Sequence, residues 1–263
     1  MFVDGAWRGA VSGETFTADS PATGEAIGEI PQGSREDARL AIDAANRAAD
    51  AWARLTAFDR AAAMHRVADA VEQRRDELAH TLTLDQGKPL HESRDEVEEL
   101  IQYWRNAAED GKRLEGRLAN SFTVGKRVLL VRRPRGVIGV ITPWNWPYTM
   151  PAELIAPALA SGNTVVWTPA SSTAVAAVAL AQCVVEADLP QASSTSSPGR
   201  ARSSATRSRA IRGHTASASS ARRRRAARSP RPRQARRRSS SWAGTVPWSC
   251  SRMRTSTSPP RRR

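Results

Sequence analysis

Cysteine is nearly absent: Cys183 and Cys250 are the only two among 263 residues. Two thiols cannot build a disulfide framework, and these lack metal-site spacing. No apolar run approaches the ~20 residues that span a membrane as a helix. The opening Met1-Phe2-Val3-Asp4 has neither a basic segment nor an apolar stretch, so no secretory leader is expected and a reducing, cytoplasmic setting follows. The sharpest absences are local. From Gln191 to Arg263, 73 residues, there is no Lys, Asp, Glu, Asn, Leu, Phe or Tyr, while there are twenty Arg and eighteen Ser. The formal charge of +14 belongs to that stretch: taking its twenty Arg from the 40 basic residues leaves 20 against 26 acidic ones in 1–190, a net −6. Averaging over the whole chain would misread it as a basic nucleic-acid binder. The large apolar residues of 191–263 are only Ile211, Trp242, Val246, Trp248 and Met253. They are too few to offset the entropy of ordering the chain, so a disordered extension with no domain is expected there.

Residues 1–190 read as an ordinary globular unit, or part of a larger one. Phe2–Trp7 and Glu25–Ile30 alternate as short strands do, with Asp4-Gly5 and Ala22-Thr23-Gly24 as turns. Ser34 with Asp37 three residues on opens a helix whose apolar face is Ala38, Ile42, Ala45, Ala49 and Trp52. A second helix is expected over Asp59–Leu84, stopped by Gly87 and Pro89. A third is expected over Ser93–Glu115, with Val97, Leu100, Ile101 and Trp104 inward. The period then changes. Arg127–Arg133 reads as a strand and Val137–Thr142 as a buried one. Tyr148–Ala160 reads as a helix, Asn163–Thr168 as a buried strand, and Ser172–Ala187 as a helix capped by Ser171 or Ser172. Strand–helix–strand–helix with Val/Ile runs predicts an α/β fold with a parallel sheet. No GxGxxG follows either buried strand, so the usual dinucleotide fingerprint is missing.

Ligands of open α/β sheets sit beyond the carboxyl ends of the strands. Two such ends are legible, Ile141-Thr142-Pro143-Trp144-Asn145-Trp146-Pro147 and Thr168-Pro169-Ala170-Ser171. Asn145 offers an amide donor suited to an oxyanion, although a turn asparagine between packing tryptophans is the simpler reading of the residues alone. Cys183, beside Val184 and Val185 with no nearby His or cationic residue to lower its pKa, reads as an inert core thiol. His65, His80, His91 and His214 are scattered. Glu96, Glu98 and Glu99 read as a solvated helix face.

The segments GVIGVITPWNWP and ELIAPALASGNTVVWTPASST, together with VDGAW, SPATGEAIGEIP and LDQGKPLHES, closely resemble the aldehyde dehydrogenase superfamily. The resemblance covers 1–190 and stops. It implies a Rossmann-like domain binding NAD or NADP, oxidation of a small-molecule aldehyde to the acid, and assembly as a homodimer or homotetramer. The Arg127–Val140 region resembles segments that family members use in that assembly. By resemblance Asn145 is the oxyanion donor when a thiolate attacks the aldehyde. Ile141, Thr142, Pro143 and Trp144 match the segment lining the nicotinamide and ribose side. Thr168, Pro169, Ala170 and Ser171 match the adenosine side. The family pattern has Lys where Thr168 stands, and losing that ammonium removes a strong donor to the ribose hydroxyls. Ser171 stands where many NAD-specific members carry Glu, so NADP is also admitted. The surrounding match suggests a semialdehyde- or betaine-aldehyde-type member. No metal, no membrane and no specific nucleic acid are expected.

Three readings of the break at 190 compete, an Arg/Ser-rich nucleic-acid tail, a disordered extension without function, or a misread frame, and the genetic code offers the sharper test. Reading the last base of each codon with the first two of the next, synonymous choices left free, Gln191–Ser208 permits GVVNVVTGPGAVVGDAL. In the same frame Ser217–Ala226 permits SFVGSTATG, and Ser239–Arg261 permits VELGGNGPVVVLEDADLDLAAA. These resemble the family's next three motifs in order: a strand and phosphate-side loop, a helix start facing the pyrophosphate, and the ELGG segment with the general-base glutamate. A single-base deletion or sequencing error near the codons for Pro190 and Gln191 is therefore expected. Restoring one G before the Gln191 codon turns LPQA into LPAGV. The written chain would lack both the general base and the nucleophilic cysteine, which falls beyond residue 263 in the restored frame. The alternative is a noncatalytic, Arg-rich nucleic-acid-binding protein on an enzyme-derived scaffold.

Overall fold

The computed structural model describes residues 1–189 and, beyond them, the strand residues Thr195–Ser196 and Ala216–Ser219. The chain opens on β1 (Phe2–Val3) and β2 (Ala6–Trp7). Their hairpin turns through Asp4 and Gly5, both at positive φ (55° and 78°), the backbone that two-residue hairpins favour. β3 (Thr15–Asp19) pairs antiparallel with β4 (Ala26–Pro31). β4 matches the expected strand, whereas β3, with its single buried residue Ala18, carries almost no sequence signal.

α1 (Arg35–Arg54) starts at the expected capping box: the Ser34 side chain accepts from the N3 amide and Asp37 accepts from the Ser34 N–H at 2.8 Å. The expected helix over Asp59–Leu84 is two helices, α2 (Ala57–Gln73) and α3 (Arg75–Gln86). The break is at Arg74, whose guanidinium donates to Glu77, Gln182 and Glu186 and so ties the corner to a distant helix. α3 ends on Gly87, left-handed at φ 78°. α4 (Leu90–Lys112) begins directly after Pro89, three residues earlier than expected. Its stripe of Val97, Leu100, Ile101 and Trp104 is fully buried, each side chain contributing about 1.5–3 kcal/mol.

A hairpin follows, β5 (Arg117–Ala119) with β6 (Val128–Leu130), shorter than the strand expected over Arg127–Arg133. Then come β7 (Val137–Ile141), α5 (Thr149–Ala160), β8 (Thr164–Thr168), a 3-10 turn (Ser171–Thr173) and α6 (Ala174–Glu186). β7 and β8 are parallel neighbours in the register Val137↔Thr164 to Ile141↔Thr168. Asn163 fixes their common start, accepting the N–H groups of Arg135 and Gly136 while donating to Ala158. Val137 and Val166 pack on Ala41, Ile42 and Ala45 of α1, whereas Val140, Val165 and Trp167 join the main core with α2–α6. Both sheet faces are covered, which is why these strands read as unbroken apolar runs.

Two further strands complete the sheet. β9 (Thr195–Ser196) runs parallel to β8, β10 (Ala216–Ser219) runs parallel to β7, and the order is β10-β7-β8-β9-β1-β2. The expectation of disorder from Gln191 onward meets strand pairing at these six residues, Thr195–Ser196 beside β8 and Ala216–Ser219 beside β7. For the remainder of that stretch it lies outside the described residues. Among the described residues no helix is long and apolar enough to cross a membrane, and no cluster of three His, Cys, Asp or Glu could hold a metal.

Candidate functional site

The parallel register brings the two expected site segments side by side, since Ile141 and Thr168 end adjacent strands. The N–H of Thr142 donates to the Thr168 carbonyl at 3.2 Å, and Trp167 Nε1 donates to Thr142 Oγ1 at 3.0 Å. Thr142, Thr168 and Pro169 are buried, and Ile141, Pro143 and Ala170 half-buried. Trp144, Asn145 and Ser171 are exposed beyond the strand ends. Pro143 cannot continue β7's hydrogen-bond ladder, which frees the chain to loop out before α5.

A cleft of about 490 Å³ opens beside these ends. Trp144 and Ser171 line it with Ser172, Thr173, Asp85 and Gln86, closed on one side by β3. Of the expected site residues, only Trp144 and Ser171 reach the cleft wall. Among the described residues the lining offers hydroxyls, an exposed indole and the carboxylates of Asp19 and Asp85 but no cationic side chain. A dinucleotide's ribose hydroxyls and ring fit that donor set. Thr168, buried at the end of β8, does not reach the cleft.

Neither Ser171 nor Ser172 caps the following helix through its side chain. Asp85, at the end of α3, takes that role by accepting the Ala176 N–H at 2.8 Å. Burial pushes its carboxyl up from 3.8 to about 6, partly opposed by the amides of Ala176 and Val175. A raised carboxyl favours the fold in its protonated form, so this contribution is complete below about pH 4 and is lost as pH rises through about 6. The span corresponds to about 3 kcal/mol. In the protein with its frame restored after Pro190, Asp85→Asn cannot ionise, and its thermal unfolding midpoint should gain on the parent's between about pH 5 and pH 7.5. A gap that stays constant across that range would contradict the assignment.

Two sequence expectations are corrected here. Glu96 is not solvated: it is fully buried, is paired with Lys88, and accepts the N–H groups of Tyr148 (2.9 Å) and Thr149 (3.3 Å). The overlooked signal is its place in the stripe Ser93, Glu96, Val97, Leu100, one face of α4. Cys183 is fully buried and its thiol is pushed up to about 11 by that burial, as expected of an inert thiol. A cation does lie near it, however, with Arg74 Nη1 3.7 Å from Sγ.

The model of the aldehyde dehydrogenase family matches residues 7–216. Among the similar proteins, the glutarate-semialdehyde dehydrogenase of Pseudomonas aeruginosa is 40% identical over 190 residues, which is 72% of this chain and 39% of that protein. The NADP(+) succinate-semialdehyde dehydrogenase of Escherichia coli is 39% identical over 188 residues, again 72% of this chain and 39% of that protein. The crystal structure of succinate-semialdehyde dehydrogenase from Burkholderia pseudomallei superposes with a TM-score of 0.76 at 37% identity, over 78% of this chain and 42% of that one. That of betaine aldehyde dehydrogenase from Staphylococcus aureus with NAD+ gives 0.75 at 29%, over 78% and 42%. The chain thus spans about two fifths of the length of the curated relatives it matches. With its strand order, its paired strand ends and this extended match, the chain belongs to the aldehyde dehydrogenase family.

Proposed function

We propose that residues 1–190 are the amino-terminal part of an NAD(P)-dependent enzyme that oxidises an aldehyde to a carboxylic acid, with semialdehydes as the substrate class. The observation that carries this is Asn145, exposed on the loop that leaves β7 beside the end of β8. When a thiolate adds to the aldehyde carbon, the carbonyl π pair moves onto oxygen, and the Asn145 amide donates to that developing charge. Bound NAD(P) supplies the hydride acceptor. The thioester that remains is released as the acid by water, activated by a glutamate base. Trp144 and the hydroxyls of Ser171 and Ser172 would hold the cofactor.

The nucleophile and base come from sequence that the written chain lacks, because the codons after Pro190 are read out of frame. Strand placement supports this reading. β9 falls within the stretch whose shifted frame permits GVVNVVTG, and β10 overlaps the start of SFVGSTATG. As written, these strands are Thr-Ser and Ala-Ser-Ala-Ser, which bring little apolar surface to a sheet. The exposed Leu118, Phe122, Val124 and Leu129 of the β5–β6 hairpin region support assembly as a homodimer or homotetramer. A single rate assay tests the function: the frame-restored protein should reduce NADP and NAD with succinate or glutarate semialdehyde, and no reduction with either would overturn the reading.

Cofactor choice follows from Ser171. In the frame-restored protein Ser171→Glu puts a carboxylate in the cleft where a 2′-phosphate would lie. The ratio of kcat/KM for NADP to that for NAD should fall about 10-fold or more through like-charge repulsion. An unchanged ratio would remove Ser171 from the adenosine side.

A further inference from the structure

Asn145 sits on an exposed loop between a strand and a helix, yet an oxyanion donor works only if it is held in place. Residues of 86–96 grip this loop on both sides of the asparagine. Before it, Gln86 Nε2 donates to the carbonyls of Trp144 (3.0 Å) and Asn145 (2.9 Å). After it, the Lys88 ammonium lies 4.0 Å from the ring centroid of Trp146 and pairs with Glu96 Oε2. Glu96 Oε1 takes the N–H groups of Tyr148 and Thr149 at the start of α5. The side chains of Glu96 and Lys88 are 0% and 9% exposed. A buried ion pair is costly unless further hydrogen bonds complete it. Here two helix-terminal amides do so, where the helix dipole favours an anion.

We propose that Gln86, Lys88 and Glu96 are positioning residues that set the place of the Asn145 amide for the reaction. This rests on the proposed function and deepens it. A merely structural brace would change stability alone. A positioning device acts through Asn145, because a misplacement of about 1 Å at a reacting centre costs about 100-fold.

The test is a double-mutant cycle in the frame-restored protein, in which residues 1–190 are unchanged. Gln86→Leu and Lys88→Met should each lower kcat about 10- to 100-fold in the parent and less than about twofold in an Asn145→Ala background. Lys88→Arg should recover most of the loss seen in Lys88→Met. Equal losses in both backgrounds, or no loss, would overturn the proposal. Amide hydrogen exchange is read alongside and needs no activity. Exchange over 142–150 should rise at least about 10-fold in Gln86→Leu and Lys88→Met while that of α2 stays unchanged. If the parent proves inactive, the functional reading fails by itself, and unaltered exchange over 142–150 would separately sink the clamp.

Discussion

Inserting one G before the Gln191 codon should convert an inactive, insoluble product into a soluble dehydrogenase. The as-written chain has β7 and β8 flanked by strands of two and four small or polar residues. Strands this short and polar guard little of the parallel edges of β7 and β8, and the exposed Leu118, Phe122, Val124 and Leu129 add apolar surface that leads to aggregation. It also has Asn145 but, in this reading, nothing to attack the aldehyde. In the proposed reading the restored frame would supply the strand, the pyrophosphate-facing helix start and the ELGG segment, with the nucleophile further along that frame. Expressed side by side, the written chain should collect in the pellet and show no aldehyde-dependent change in nicotinamide absorbance. The restored protein should turn over at the ordinary enzymatic scale of about 1–1,000 s⁻¹. A soluble 263-residue preparation that reduces NAD(P) with an aldehyde would defeat this expectation.

The second large effect is at Asn145. In the restored protein, Asn145→Ala should lower kcat about 100- to 1,000-fold, or about 2.7–4 kcal/mol of transition-state stabilisation, as for other single oxyanion donors. KM should change far less, because the charge that the amide meets develops only as the carbonyl is attacked. Asn145→Asp should be at least as damaging, since it offers a carboxylate to the same oxygen. Steady-state rates with one semialdehyde at saturating NADP separate these cases. A loss confined to KM would make Asn145 a ground-state contact instead.

Much of this fold was legible because its signals are local. The Ser34–Asp37 capping box, the Gly87 stop, the α4 stripe and the two Val/Ile strands each sit within a few residues of sequence and recur in the structure as read. The carboxyl ends of those strands located Asn145 and Ser171. What escaped depends on distant partners. The break at Arg74 is set by Gln182 and Glu186, more than a hundred residues on. α6 is capped by Asp85 and not by the serines before it. Glu96 looked like surface because the amides that satisfy it, those of Tyr148 and Thr149, lie across a corner, a hairpin and a strand. β3 is held by pairing with β4 rather than by its own pattern.

The nucleotide sequence of the gene, from the codons for Val185 to a few hundred bases past the codon for Arg263, is the most direct test. If the frame reading holds, the free third bases fall so that the shifted frame spells GVVNVVTG, SFVGSTATG and VELGGNGPVVVLEDADLDLAAA. That frame then stays open into a segment encoding a cysteine. An extra G at the Pro190–Gln191 junction would mean an intact gene, and its absence would mean a frameshifted one. Synonymous codons that break those three strings, or a stop in the shifted frame, would contradict the reading and leave the Arg/Ser stretch as the protein's own.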